Sequence, residues 1–196
     1  MTAAKKITNR IAVIVLPIVV LLLSGACSIR YFVPEEGTLT EDRYAVVRSD
    51  SLQFALRPQS YLGNYQDVNN RFFPVFIRVK NSSTRRIKVP EGSFGILAND
   101  RQFDPVPLQY ILANLRQSIW LKSYDNLFQP EDPSQSVLDK TREQDMYYEL
   151  LSSAFSYGDI LPGGSKEGYL FYDRAIDAAE GFTFDALGYG VRFRRK

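Results

Sequence analysis

The 196-residue chain has no histidine and a single cysteine. Without histidine, Ser-His-Asp and Cys-His nucleophile systems lack their base. Zinc sites built on His and Cys cannot be assembled either, and no cofactor motif stands out. Catalysis would fall to carboxylates, Lys, Tyr or Ser alone. One cysteine also means no disulfide within the chain, so the fold must rely on its apolar core, for which 13 Phe and 12 Tyr supply bulk. A strong charge of one sign is missing too. Lys and Arg number 24 against 22 Asp and Glu, and Lys5, Lys6 and Arg10 all precede Cys27, which leaves 21 against 22 beyond it. That balance gives no basic excess for nucleic acid.

What the chain does have is concentrated first at its start. A basic stretch (Lys5, Lys6, Arg10) leads into a wholly apolar run from Ile11 to Leu23, then into Ser24, Gly25, Ala26 and the lone Cys27. This is the three-part layout of a secretory signal helix. A membrane-spanning anchor competes with it, but spanning takes about 20 apolar residues, and Pro17 removes a helix hydrogen bond in mid-run. The segment resembles the signals of bacterial lipoproteins. That resemblance implies cleavage between Ala26 and Cys27 and a lipid on Cys27. It departs in one place: the family prefers Leu where Ser24 stands, and Leu23 lies one position earlier. Two or three acyl chains, as such lipoproteins carry, anchor stably where one does not. In that family an aspartate directly after the cysteine favours the inner membrane. Ser28 in its place implies the periplasmic face of an outer membrane.

Removing residues 1–26 leaves 170, an ordinary single domain. Residues 27–43, with Pro34, Glu35, Glu36 and Gly37, show little periodicity and read as lipidated cysteine plus tether, with the folded domain over 44–196. Period-two alternation marks half-buried strands. It places Leu52, Phe54 and Leu56 on one face, and Phe73, Val75, Ile77 and Val79 on another with Arg78 and Lys80 outward. Pro74 must sit near a strand start or on an edge. Further strands carry Ile87 and Val89, then Phe94 and Ile96, Phe182 and Phe184, and Val191 and Phe193; Tyr169 to Tyr172 is apolar on both faces. Asn81-Ser82-Ser83 and Asn99-Asp100 read as turns. Between the strand groups, Leu108, Ile111, Leu112, Leu115 and Ile119 form a helical stripe behind Pro105 and Pro107. A loop is expected over 123–134, and a second helix from about Val137 to Phe155, its stripe being Met146, Tyr147, Leu150, Leu151 and Ala154 and its terminator Gly158.

Strands, a helical pair and more strands predict a mainly β fold: an antiparallel β-sandwich with an inserted α-helical hairpin at about 105–160. Two segments carry a resemblance. Phe76–Ser83 resembles the "V-x-V-x-N-x-S" strand and turn of immunoglobulin-like domains in secreted bacterial proteins. Leu161–Phe171 is similar to their "L-x-P-G-x-x-x-x-G-x-L-x-F" turn and strand. The resemblance spans about half the mature chain and implies an immunoglobulin-like sandwich that binds partners without catalysis. The helical insert departs from it.

Each remaining motif has a plain structural reading beside the functional one. Gly158 to Ser165 has phosphate-loop glycine spacing, but Gly164 replaces the required Lys. Ser165 and Lys166 are adjacent and point to opposite faces of a strand. Glu35-Glu36 and Glu131-Asp132 are acid pairs without the spacing of a cation loop. Asn81 is formally a glycosylation acceptor. Arg192, Arg194, Arg195 and Lys196 make a basic C-terminal stretch that could meet anionic head groups. Trp120, Tyr124 and Phe128, with Tyr61 and Tyr65 in a polar loop, are candidate partner contacts if exposed and packing residues if buried. The leading expectation is a lipid-anchored, non-catalytic envelope module that binds a protein through its helices, with no metal and no nucleic acid. The alternatives are a lipid or hydrophobic-ligand carrier with the helices as lid, and a carboxylate-based glycan hydrolase.

Overall fold

Where the sequence alternates with period two, it pairs into antiparallel sheets. The computed structural model describes residues 31–114 and 133–196. Among these are β1 (Phe32–Pro34), β2 (Thr40–Glu41), β3 (Tyr44–Arg48), β4 (Leu52–Pro58), β5 (Phe72–Asn81), β6 (Ile87–Val89), β7 (Phe94–Ala98), β8 (Arg101–Phe103), β9 (Gly158–Ile160), β10 (Ser165–Asp173), β11 (Gly181–Ala186) and β12 (Tyr189–Arg195). One sheet runs β1-β12-β11-β7-β8, a second β10-β5-β4-β3-β2, and β6 with β9 forms a small ribbon. Helical segments are α1 (Val68–Arg71), α2 (residues 108–114), α3 (Pro133–Ser153) and a 3-10 turn (Arg174–Ala178). No helix among the described residues is long and apolar enough to cross a membrane.

Phe54, Leu56, Val75, Ile77 and Val79 of the second sheet fall in one buried cluster with Phe94, Ile96, Phe184 and Phe193 of the first. The two sheets thus enclose a common core, as in a sandwich, with each fully buried large side chain contributing about 1.5–3 kcal/mol. Three two-residue hairpins connect the strands. Asp42-Arg43, Asn99-Asp100 and Leu187-Gly188 all have positive φ at both loop residues, the type I′ geometry that matches strand twist.

The folded unit begins earlier than the alternation suggests. It spans Phe32–Lys196, not 44–196. β1 pairs with β12 through Phe32↔Arg195, Val33↔Arg194 and Pro34↔Phe193, and the Phe32 ring packs edge-on against Phe73 and Phe182 at 5.6 and 4.9 Å. Pro34 is tolerated because β1 is an edge strand. Pro74 lies near the start of β5, as expected.

β10 is buried on both faces because a third layer covers its outer side. Leu170 and Tyr172 enter the sandwich core, whereas Tyr169 and Phe171 join Tyr61, Val68, Phe72, Ile111 and Leu150 in a second cluster beneath the helices. α3 is described from Pro133, ahead of the expected Val137. It stops at Ser153, not Phe155, because β10 captures the chain there: Ala154 bridges Tyr169, and the Phe155 N–H donates to the Tyr169 carbonyl at 2.9 Å. Gly158 therefore opens β9 and does not end the helix. Leu115, Ile119 and most of the expected 123–134 loop lie outside the described residues; Pro133 and Ser134 belong to α3.

Candidate binding surface: the helical layer

The layer is built on an aromatic floor. Tyr61 meets Tyr169 and Phe171 at ring distances of 5.2 and 6.0 Å, Tyr169 meets Phe76 at 5.3 Å, and Phe76 meets Tyr44 at 6.0 Å. Arg57 lies over the Tyr44 ring, 5.9 Å from its centroid, where a cation is attracted to the π face. Such edge-to-face pairs add about 0.5–1.5 kcal/mol beyond their buried area. The row runs from the buried ground under the helices out to half-exposed Tyr44 and Phe76.

The polar loop before α1 is locked by side chains in place of regular structure. Asn69 accepts from the Tyr61 N–H at 2.7 Å and donates to the Tyr61 carbonyl at 2.9 Å. The Glu149 carboxylate of α3 accepts from the Asn64 backbone N–H and from Asn64 Nδ2, the latter at 2.9 Å. Gly63 lets the loop approach α3 so closely, since a Cβ there would collide with the Tyr61 hydroxyl and the Glu149 carboxylate. The Tyr61 hydroxyl accepts from Ser153 Oγ at 3.3 Å, and Gln59 Nε2 donates to the Tyr169 hydroxyl at 3.2 Å. Burial raises both phenol pKa values above the ordinary tyrosine range, and these hydrogen bonds only partly offset it.

Tyr61 and Tyr65 are therefore not exposed contact residues. They are 1% and 6% exposed and serve as packing beneath α3, because the loop folds inward onto β10. Trp120, Tyr124 and Phe128 lie outside the described residues, as do Ala26, Cys27 and the Glu131-Asp132 pair. The layer instead exposes other apolar side chains: Leu62 (79%), Tyr110 (59%), Tyr148 (65%) and Leu151 (45%). Sequence reasoning missed them. Tyr148 is off the expected inward stripe of α3, and Leu151, expected on that stripe, is exposed; only the i, i+3 spacing of these two signals a second apolar edge.

The other motifs resolve as structure. Asn81 is fully buried, with its amide consumed by four hydrogen bonds, so it offers no glycosylation site. Lys166 Nζ donates to the Tyr157 carbonyl at 2.8 Å, and Ser165 stands opposite Lys80 across the sheet. Gly163 takes a positive φ in the turn that leads into β10. Glu36 pairs with Arg194 at 3.5 Å, and Arg195 packs over Phe32. Among the described residues, no group of three or more Cys, Asp or Glu is arranged to hold a metal ion.

No family model matches the chain, and no curated protein matches it either. A solved structure of a "putative lipoprotein" of Bacillus subtilis, YcdA, aligns with 76% of this chain at 17% identity and a TM-score of 0.40. This chain spans 37% of that protein. At that score the likeness assigns neither a fold family nor a role.

Proposed function

We propose that the protein is a lipid-anchored, non-catalytic module of the bacterial envelope that binds a protein partner through its helical layer. Cys27, freed by cleavage after Ala26, carries the acyl chains, and Ser28 favours the periplasmic face of an outer membrane. The Phe76–Ser83 and Leu161–Phe171 segments, whose strands pair from Ser165↔Lys80 to Tyr169↔Phe76, support an immunoglobulin-like reading of the sandwich. The observation that carries the binding role is the exposure of Leu62, Tyr110, Tyr148 and Leu151 on the loop and helices that cover the outer face of β10. Large exposed apolar side chains on the loop and helices of one layer favour a partner surface. The carrier reading draws less support, since Tyr61, Val68, Ile111 and Leu150 fill the space between helices and sheet with the protein's own side chains.

A photo-reactive residue placed in living cells at Tyr110 or Tyr148, and for comparison at Leu97, tests this. Leu97 is equally exposed, at 52%, but lies on the opposite sheet. One envelope protein crosslinked from the helical positions and not from Leu97 is the expected result. Identical adducts from all three positions, or none, would overturn it, and a stoichiometric lipid recovered with the protein would favour the carrier. Cys27→Ala should abolish lipid labelling and either release the protein from membranes or leave the precursor uncleaved.

A further inference from the structure

The folded unit starts at Phe32, five residues after Cys27. Fully extended, five residues span at most about 17 Å. β5 alone, at ten residues, runs roughly 33 Å. The start of β1 is thus tied to the anchor by a link about half as long as the sandwich. Strand register fixes which part of the domain that is. Phe32 stands opposite Arg195, the Arg195 N–H donates to the Glu180 carbonyl at 2.8 Å, and the Phe32 ring touches Phe73 at the beginning of β5. The Ser82–Arg85 turn beyond Asn81 lies at the other end of that strand.

We infer that the end of the sandwich formed by Phe32, Glu180, Arg195 and Lys196 rests on the lipid surface that holds Cys27, with the Ser82–Arg85 turn directed away from it. The inference builds on the lipid anchor at Cys27. Charge is not what holds this end down. Glu180 balances one of the two charges of Arg195 and Lys196, and Arg194 is paired with Glu36, so the excess at this end is small. The covalent link does so, by keeping the local concentration of lipid high at one end only. A further consequence concerns the helical layer. α1 runs straight into Phe72, beside Phe73, so the layer covers the half of the sheet nearer the bilayer.

The test uses full-length lipidated protein in vesicles of zwitterionic lipid, with and without an anionic component. One cysteine is introduced at an exposed site, Glu180→Cys or Thr84→Cys, and carries a fluorophore; Cys27 is blocked by its own thioether. Quenchers sit on the lipid head groups. The expected result is loss of fluorescence at position 180 and its retention at position 84, in both lipid compositions. A Gly/Ser insert of about 20 residues after Ser28, with a root-mean-square length of roughly 25 Å, should abolish the difference. Equal quenching at the two sites with the natural link, or a difference that survives the insert or vanishes without anionic lipid, overturns the inference. The mass of the N-terminal peptide is read in the same samples. If it shows no lipid on Cys27, the anchor reading fails, and this inference fails with it.

Discussion

Asn81 Nδ2 donates to the Ile160 carbonyl at 3.0 Å and joins the end of β5 to the end of β9. The same amide donates to the Arg85 carbonyl at 2.7 Å, and its oxygen accepts from the Ser83 N–H and hydroxyl. The Asn81 main chain meanwhile binds Gly163 and Gly164. The two segments that stood out in the sequence, around Asn81 and around Gly163, therefore meet at one buried residue. Asn81→Ala would leave the Ile160 carbonyl buried without its donor. An unsatisfied buried group costs about 1–3 kcal/mol, so the unfolding free energy should fall by an amount in that range, read as a lower denaturant midpoint at unchanged slope m. Asn81→Asp should be worse, because it sets a charge against two carbonyls.

Arg43 is the second residue of the β2–β3 hairpin and has φ of +69°. A non-glycine residue there is disfavoured, and Asp-Gly is a preferred type I′ pair. Arg43→Gly should raise stability by about 0.5–1 kcal/mol, read as an upward shift of Tm. Arg43 is exposed, so no packing is lost.

Gly168 in β10 lies under the chain that leaves α3. A Cβ built there would sit 2.6 Å from the Phe155 nitrogen and 2.7 Å from the Ala154 carbonyl carbon. Both are backbone atoms and cannot rotate away. Gly168→Ala should cost about 3 kcal/mol, at the upper end for overpacking. Accelerated hydrogen exchange at the Phe155 amide would report the lost bond to Tyr169.

The strands that carry a full two-residue rhythm were legible because burial on one face writes itself into alternation: Leu52, Phe54 and Leu56, and Val191 and Phe193, all point inward. β1 was not legible, since Phe32-Val33-Pro34 is too short for a rhythm and Pro34 argues against a strand. The run Tyr169–Tyr172 did announce burial on both faces, yet nothing in it named the loop and helices that cover the outer side. Tyr61 and Tyr65 misled for that reason. Their polar neighbours, Asn64, Gln66 and Asn69, face one another, Gly63 or Glu149 and not a partner. The end of α3 depended on a bridge to a residue fifteen positions away, which no local signal encodes.

Tyr172 is fully buried, and its hydroxyl has no hydrogen-bond partner among the described residues. Burial, then the neighbouring Tyr157 and Asp104, push its pKa well above 10.0; Tyr157 is pushed up to about 12 by burial and by Glu91. The folded state keeps these protons while the unfolded state releases them near pH 10, so it is the unfolded state that binds fewer protons above that point and stability falls as pH rises. Below pH 10 these groups add no pH dependence. The denaturant midpoint should drop between pH 10 and 12, and Tyr172→Phe should make that drop shallower. At neutral pH the same substitution removes an unsatisfied group and should be neutral or stabilising.

Leu150 and Leu151 are neighbours in α3 with opposite surroundings. Leu150 is fully buried against the aromatic floor, whereas Leu151 is 45% exposed beside Tyr148. Leu150→Ala should cost about 2–5 kcal/mol through lost burial and the cavity it leaves. Leu151→Ala should change stability by only about 0.5 kcal/mol, as is usual for a surface site. If the helical layer meets a protein partner, the order reverses for binding: Leu151→Ala, and more so Leu151→Asp, should weaken crosslinking from Tyr148 in protein that melts normally. Measuring Tm and crosslink yield on the same two variants separates a residue that holds the layer together from one that the layer presents.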